Sequence, residues 1–133
     1  MKKILTTTIL TLSLTSCATQ EFSPQIAGES LSDSEAVAIV RQHISDTYLD
    51  DNVKNLKIRK PFHGNVLKQY GLYNKPESGW VICYQANGKN AFGGYTGVKE
   101  HTLGIQHSKI VDEGYYGDGR GSSCTQSKYI KLK

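Results

Sequence analysis

The sequence lacks the residue patterns that usually carry catalysis or metal binding. Its four histidines, His43, His63, His101 and His107, show no H-x-H or H-E-x-x-H spacing. The acidic residues are too dispersed for the paired carboxylates of a glycosidase, and residues 122–123 lie in no G-x-S-x-G segment. No segment fits a phosphate-binding loop or a dinucleotide fingerprint. We therefore predict a protein that is not an enzyme and that has neither a cofactor nor a metal site.

The start of the chain also lacks an apolar run long enough to span a bilayer. Ile4 to Leu14 form an apolar stretch of 11 residues, whereas a membrane-spanning helix needs about 20. Lys2 and Lys3 precede this stretch, and a basic start followed by a short apolar segment is typical of a cleaved signal peptide. We predict a signal peptide over residues 1–16.

The segment L-T-S-C at residues 14–17 resembles the lipobox of bacterial lipoproteins, in which two small residues separate an aliphatic residue from a cysteine. The resemblance implies that Cys17 receives a diacylglycerol and becomes the acylated N-terminus. Ala18 follows the cysteine in place of aspartate, which implies the outer membrane as the destination, with the domain in the periplasm or at the cell surface. The alternative is a secretory signal with a chance cysteine.

Little excess charge remains after the predicted signal peptide is removed. The whole chain has 16 Lys and Arg against 12 Asp and Glu. Loss of Lys2 and Lys3 leaves 14 against 12, so the net charge falls from +4 to +2. Nucleic-acid-binding domains usually carry a strongly basic face, and we therefore predict no nucleic-acid partner.

Cysteine is scarce, with only three residues in the chain. If Cys17 carries lipid, Cys83 and Cys124 remain, and two thiols in an oxidising compartment predict one disulfide. On the chain-entropy model, closing a loop of roughly 42 residues contributes about 4 kcal/mol. The alternative is a free, nucleophilic Cys83 with a histidine nearby.

Hydrophobic periodicity predicts an α+β fold with one N-terminal helix packed on a small antiparallel β-sheet. Ser32 and Glu35 fit a helix-capping box, and apolar residues recur at helical spacing after them. Residues 17–30 lack periodicity and are expected to form a flexible tether, which leaves residues 31–133 as a single domain. Residues 62–79 are expected to form a long polar connection. Strands are predicted at residues 56–58, 80–86 and 95–103, over part of residues 105–111, and at residues 124–133.

The segment N-G-K-N-A-F-G-G-Y-T-G, residues 87–97, is here named the glycine loop. Its Asn-Gly pair favours a β-turn, and adjacent glycines permit a bulge or close backbone contact, so the pattern predicts a β connection. The alternative is a loop that contacts a ligand. Its candidate binding residues are Asn87, Lys89, Asn90, Gly93, Gly94 and Tyr95.

Residues 80–97, W-V-I-C-Y-Q-A-N-G-K-N-A-F-G-G-Y-T-G, resemble a stretch of uncharacterised small proteobacterial outer-membrane lipoproteins. The shared pattern is W-V-x-C-x-x-x-N-x-K-N-x-x-G-G-Y-x-G. This family has no established activity, so the resemblance implies a small lipid-anchored α+β protein and supplies no catalytic residue.

Together these patterns predict a lipid-anchored, non-enzymatic binding or assembly component of the bacterial envelope. The membrane is the first partner, through the acylated Cys17. An envelope protein or glycan is the second, since tyrosines beside glycines suit such contacts. The alternative function is a periplasmic inhibitor of a host hydrolase such as lysozyme, because inhibitors of this kind are also small disulfide-bonded lipoproteins.

Overall fold

The computed structural model describes residues 21–48, 52–115 and 124–133; the predicted signal peptide and Cys17 lie outside them. The described residues form an antiparallel sheet of five strands, two helices and a 3-10 turn. The strands are β1 (Lys54–Ile58), β2 (Phe62–Tyr70), β3 (Tyr73–Lys89), β4 (Tyr95–Gln106) and β5 (Lys109–Tyr115). The helices are α1 (Pro24–Ala27) and α2 (Asp33–Thr47), and the 3-10 turn is Cys124–Gln126. The predicted antiparallel sheet, a helix and the disulfide are confirmed.

Strand β3 is the centre of the sheet. Its later half pairs with β4 on one edge, with Trp80 opposite Ile105. Both β1 and β2 lie along its other edge, because their pairing overlaps that of β4. Pro61 stands between β1 and β2, where a residue without a backbone N–H interrupts the pairing. Strand β5 extends the sheet beyond β4.

Helix α2 begins at the predicted capping box. Ser32 Oγ accepts a hydrogen bond from Glu35 N at 3.2 Å, and Glu35 Oε2 accepts one from Ser32 N at 2.8 Å. The Ser32 backbone N–H and hydroxyl both donate to the Glu35 carboxylate and lower its pKa. The apolar side of α2 packs on one face of the sheet, and their common core contains Ala36, Val40, Ile44, Ile58, Ile82, Tyr84, Ala86, Leu103 and Ile105.

The other face of the sheet carries the Val66 side chain of β2 and the disulfide. Val66 is fully buried over two glycines. A Cβ atom on Gly79 or Gly104 would lie 2.6 or 2.7 Å from Val66 Cγ1, so only glycine fits at either position. Cys83 and Cys124, both fully buried, join on this face with an S–S distance of 1.99 Å.

Residues 62–79 are not the polar connection predicted from the sequence. They form β2 and the first part of β3, a hairpin in register from Phe62 opposite Val81 to Tyr70 opposite Tyr73. The prediction was wrong because this segment lacks the alternation of a half-buried strand. The segment is ordered instead by the pairing of β2 with β3 along the hairpin.

The predicted tether is also wrong where the structure describes it, because residues 22–28 dock on the sheet. Ser23 N donates to Ser78 Oγ at 2.9 Å, and Trp80 Nε1 donates to Gly28 O at 3.1 Å. The ring of Phe22 lies 5.3 Å from that of Trp80, edge to face. Ala27 is fully buried. The domain therefore begins near residue 22 rather than at residue 31.

The strand predicted over part of residues 105–111 is found, and the predicted last strand is wrong. Residues 109–111 belong to β5, which follows a turn at His107 and Ser108, where left-handed backbone angles suit a two-residue hairpin connection. In place of a last strand, residues 124–133 contain the 3-10 turn and a single bridge from Tyr129 to Arg59. Arg59 holds this segment by donating to Ser127 O at 2.7 Å and to the Tyr129 hydroxyl at 3.0 Å.

Candidate functional site

The glycine loop connects β3 to β4 and is shaped by Asn90. The Asn90 Oδ1 atom accepts hydrogen bonds from Phe92 N and Gly94 N, each at 3.0 Å. Asn90 N also donates to Gly94 O at 2.8 Å, and Gly93 adopts a φ of 79° that favours glycine. Three of the predicted binding residues, Asn90, Gly93 and Gly94, therefore form the turn itself.

The base of the glycine loop is held by the other three predicted residues. Asn87 Oδ1 accepts from Gly97 N at 2.9 Å. Lys89 pairs with Tyr95 across the sheet. The ammonium groups of Lys54 and Lys89 lie 4.2 and 5.4 Å from the centre of the Tyr95 ring, within the range of a cation–π interaction. The structure thus brings all six predicted residues together, and most of them serve the loop's own geometry.

Phe92 is the residue of this loop that sequence reasoning missed. Its side chain is 97% exposed at the turn, while the Asn90 amide oxygen fixes its backbone. A large apolar side chain held in water on a well-defined turn is the kind of group that interfaces bury. The signal was present in the sequence as an aromatic residue between turn formers.

A cleft of about 430 Å³ lies beside the glycine loop. It is bordered by α2, β3, β4 and β5, and it shares three lining residues with the loop, namely Gly88, Thr96 and Gly97. Gly88 is required there, because a Cβ atom would lie 2.2 Å from Tyr48 Cε1. The glycine loop and the cleft are therefore one continuous surface.

One wall of the cleft is a cluster around His101. The Tyr48 hydroxyl lies 3.2 Å from His101 Nε2, and the His101 ring stacks on Tyr84, with centroids 4.9 Å apart and planes 12° apart. Burial, followed by the charges of His43 and Lys99, lowers the pKa of His101. This imidazole is therefore held in its neutral form at neutral pH.

A second histidine, His43 of α2, also lines the cleft. Its Nδ1 atom lies 3.8 Å from Glu113 Oε1 and 3.5 Å from Thr47 Oγ1. Its ring meets that of Tyr84 edge to face, with 6.2 Å between centroids. No sequence pattern indicated that His43 and His101 share a site, because they are far apart in the chain and come together only when α2 packs on the sheet.

The cleft presents neutral donors and acceptors, flanked by Lys99 and Glu113, and so suits hydrogen bonding to a polar group. Among the described residues, no group of three or more His, Cys, Asp or Glu side chains is arranged to hold a metal ion. Cys83 is engaged in the disulfide, so the nucleophilic thiol considered from the sequence does not exist in this structure.

No helix within the described part of the chain is long and apolar enough to cross a membrane. Comparison with known proteins gives no family for the chain. No family model matches it, and no curated protein or solved structure matches it significantly.

Proposed function

We propose that this protein is a lipid-anchored, non-enzymatic binding component of the bacterial envelope, and that the glycine loop contacts its partner. The observation that carries the proposal is Phe92, which is 97% exposed on a turn whose backbone Asn90 fixes. A preorganised aromatic loses little conformational freedom on binding. The adjacent cleft, about 430 Å³ in volume, offers room for a polar side chain of the partner.

The anchor in this proposal is an acyl group on Cys17, with residues 1–16 as the cleaved signal peptide. It is supported by the L-T-S-C segment, and the resemblance of residues 80–97 to small outer-membrane lipoproteins supports the same location. The intact mass of the membrane-extracted protein tests it. A diacylglycerol and an added acyl chain on Cys17 are expected, and an unmodified N-terminus at another residue would contradict the anchor.

The partner is an envelope protein, because aromatic side chains are enriched in the centres of protein interfaces. Photo-crosslinking in intact cells tests this. Benzoyl-phenylalanine at position 92 should give one discrete crosslinked protein, and the added substitution Asn90→Ala should reduce its yield. The same probe at position 45, an exposed site on α2, is the control. A crosslinking pattern common to both positions would contradict a specific loop contact.

Inhibition of a host hydrolase, the second function predicted from the sequence, is tested with the purified protein and its Phe92→Ala variant. Purified protein would be added to lysozyme, and the rate of cell-wall lysis would be measured. Inhibition that is lost with Phe92→Ala would identify the hydrolase as the partner of the glycine loop. An unchanged rate would remove this alternative and leave the envelope protein.

A further inference from the structure

A second exposed apolar group lies at the turn of the β2–β3 hairpin, far from the glycine loop along the sheet. This hairpin tip consists of Tyr70–Tyr73, in which Gly71 has a φ of 59°. Leu72 is 106% exposed and Tyr73 is 65% exposed. The rings of Tyr70 and Tyr73 stack with centroids 6.1 Å apart. The hairpin tip therefore presents a group of exposed apolar residues next to one another in the chain, rather than a single isolated one.

Just below the hairpin tip, Lys68 lies directly opposite Lys75 on the neighbouring strand. Like charges in this position repel each other and destabilise a strand pair, and the Lys68 ammonium lies 5.8 Å from the centre of the Tyr70 ring. Glu77 of the same hairpin accepts hydrogen bonds from the Tyr70 hydroxyl and from Gln106 Nε2. Those two bonds, Tyr70 first, together with the charges of Lys68 and Lys75, lower the pKa of Glu77. The hairpin therefore carries two ammonium groups against one largely buried carboxylate.

The order of these groups along the hairpin matches the layers of a bilayer surface. Leucine belongs in the hydrocarbon, tyrosine rings at the headgroup boundary, and lysines beside anionic headgroups. We propose that the hairpin tip inserts into the surface of a bilayer that contains anionic phospholipid, with Leu72 deepest. An apolar pocket on another protein would bury the leucine but would provide no negative charge to pair with Lys68 and Lys75.

The start of the described chain lies near the base of the same hairpin. Ser23 N bonds to Ser78, the sixth residue of β3, whereas the glycine loop begins near its seventeenth and last residue, Lys89. Three residues lie between Cys17 and Glu21, so the Cα atom of Cys17 lies no more than about 14 Å, four residue steps, from that of Glu21. This step rests on the proposed anchor. The anchor and the hairpin tip would then contact the membrane together, at the opposite end of β3 from Phe92.

Depth-dependent fluorescence quenching in reconstituted vesicles tests the proposal on the full membrane-extracted protein. The vesicles contain phosphatidylglycerol and phosphatidylcholine with brominated acyl chains, which quench tryptophan only inside the bilayer. The variants are Leu72→Trp and the matched control Phe92→Trp, each corrected for Trp80. The tryptophan at position 72 should be quenched and blue-shifted, and the one at position 92 should not.

The lysines give a second readout. Each should strengthen contact with an anionic surface about fivefold, so Lys68→Gln with Lys75→Gln should reduce insertion of the tip roughly 25-fold. High salt should have a similar effect. Equal quenching at positions 72 and 92 would overturn the proposal. A tryptophan at position 72 that is blue-shifted but not quenched would also overturn it, because it would place the tip against protein.

Whether Cys17 carries an acyl group is measured separately, from the intact mass of the protein. If Cys17 carries no acyl group, the same protein is mixed with preformed vesicles and sedimented. Sedimentation that requires phosphatidylglycerol and is lost with Leu72→Asp would still support insertion of the tip. Absence of sedimentation would overturn it.

Discussion

At the scale of single residues, Gly88 and Gly94 of the glycine loop are required to different degrees. A Cβ atom on Gly88 would lie 2.2 Å from the Tyr48 ring, whereas one on Gly94 would meet only Asn90 side-chain atoms at 3.7 Å. Gly88→Ala should therefore displace Tyr48 from His101 and lower the free energy of unfolding by about 1–3 kcal/mol. Urea denaturation measures the loss.

Gly94→Ala is the matched control for this prediction, because its contacts are ordinary van der Waals distances. It should change the free energy of unfolding by less than about 0.5 kcal/mol. Equal losses in the two variants would show that Tyr48 does not pack on Gly88 as described.

His101 should make the stability of the protein depend on pH. Burial, with the charges of His43 and Lys99, holds its pKa in the folded state below its ordinary value of 6.5. As pH falls through 6.5, the unfolded chain takes up the proton first. The stability that is fully present above pH 6.5 is therefore lost progressively below it.

We expect His101→Gln to reduce the slope of unfolding free energy against pH between about 7.5 and 5.5. Ser45→Ala, at an exposed position, removes no titratable group and provides the control, which should leave the slope as in the wild-type protein. Identical slopes in all three proteins would mean that His101 does not differ between the folded and unfolded states.

At the scale of elements, the start of α2 depends on Ser32. Its side chain accepts from Glu35 N, and Ser32→Ala should lower the free energy of unfolding by about 1 kcal/mol. Ser45→Ala, at an exposed position within α2, should have no such effect because alanine favours helix interiors. Thermal unfolding of both variants checks this prediction, which would fail if the two melted alike.

Elements defined by local chemistry were predictable from the sequence, and elements defined by distant contacts were not. The capping box and apolar spacing of α2 lie within one segment, as does the alternation of β3 from Trp80 onwards. Strand β2 contains Gly64 and lacks a clear alternation, and its order depends on pairing with β3. Residues 22–28 are ordered by Ser78 and Trp80, which no local pattern reveals.

The same distinction applies to the candidate site. The turn formers of the glycine loop, Asn90 and Gly93, follow recognisable turn chemistry, and the sequence identified them. The cleft was missed because His43 and His101 come from different elements, which only the packing of α2 on the sheet brings together. Phe92 was missed because full exposure is a property of the folded loop.

At the scale of the whole molecule, the disulfide joins Cys83 at the centre of the sheet to Cys124 in the C-terminal segment. The combined substitutions Cys83→Ala and Cys124→Ala should lower the free energy of unfolding by up to about 4 kcal/mol. That is a large share of the stability of a small domain. Urea denaturation of the variant, and of the wild-type protein with and without reductant, measures it. A loss below about 1 kcal/mol would contradict a structural disulfide.

The position of β3 has a consequence for when the chain can fold. Strands β1, β2 and β4 all pair with β3, so β1 and β2 have no partner until residues 73–89 are available. The core also needs Leu103 and Ile105 of β4. Folding that depends on such distant contacts is comparatively slow and cannot proceed piece by piece from the N-terminus. The sheet of such a chain cannot form until most of the chain has been synthesised.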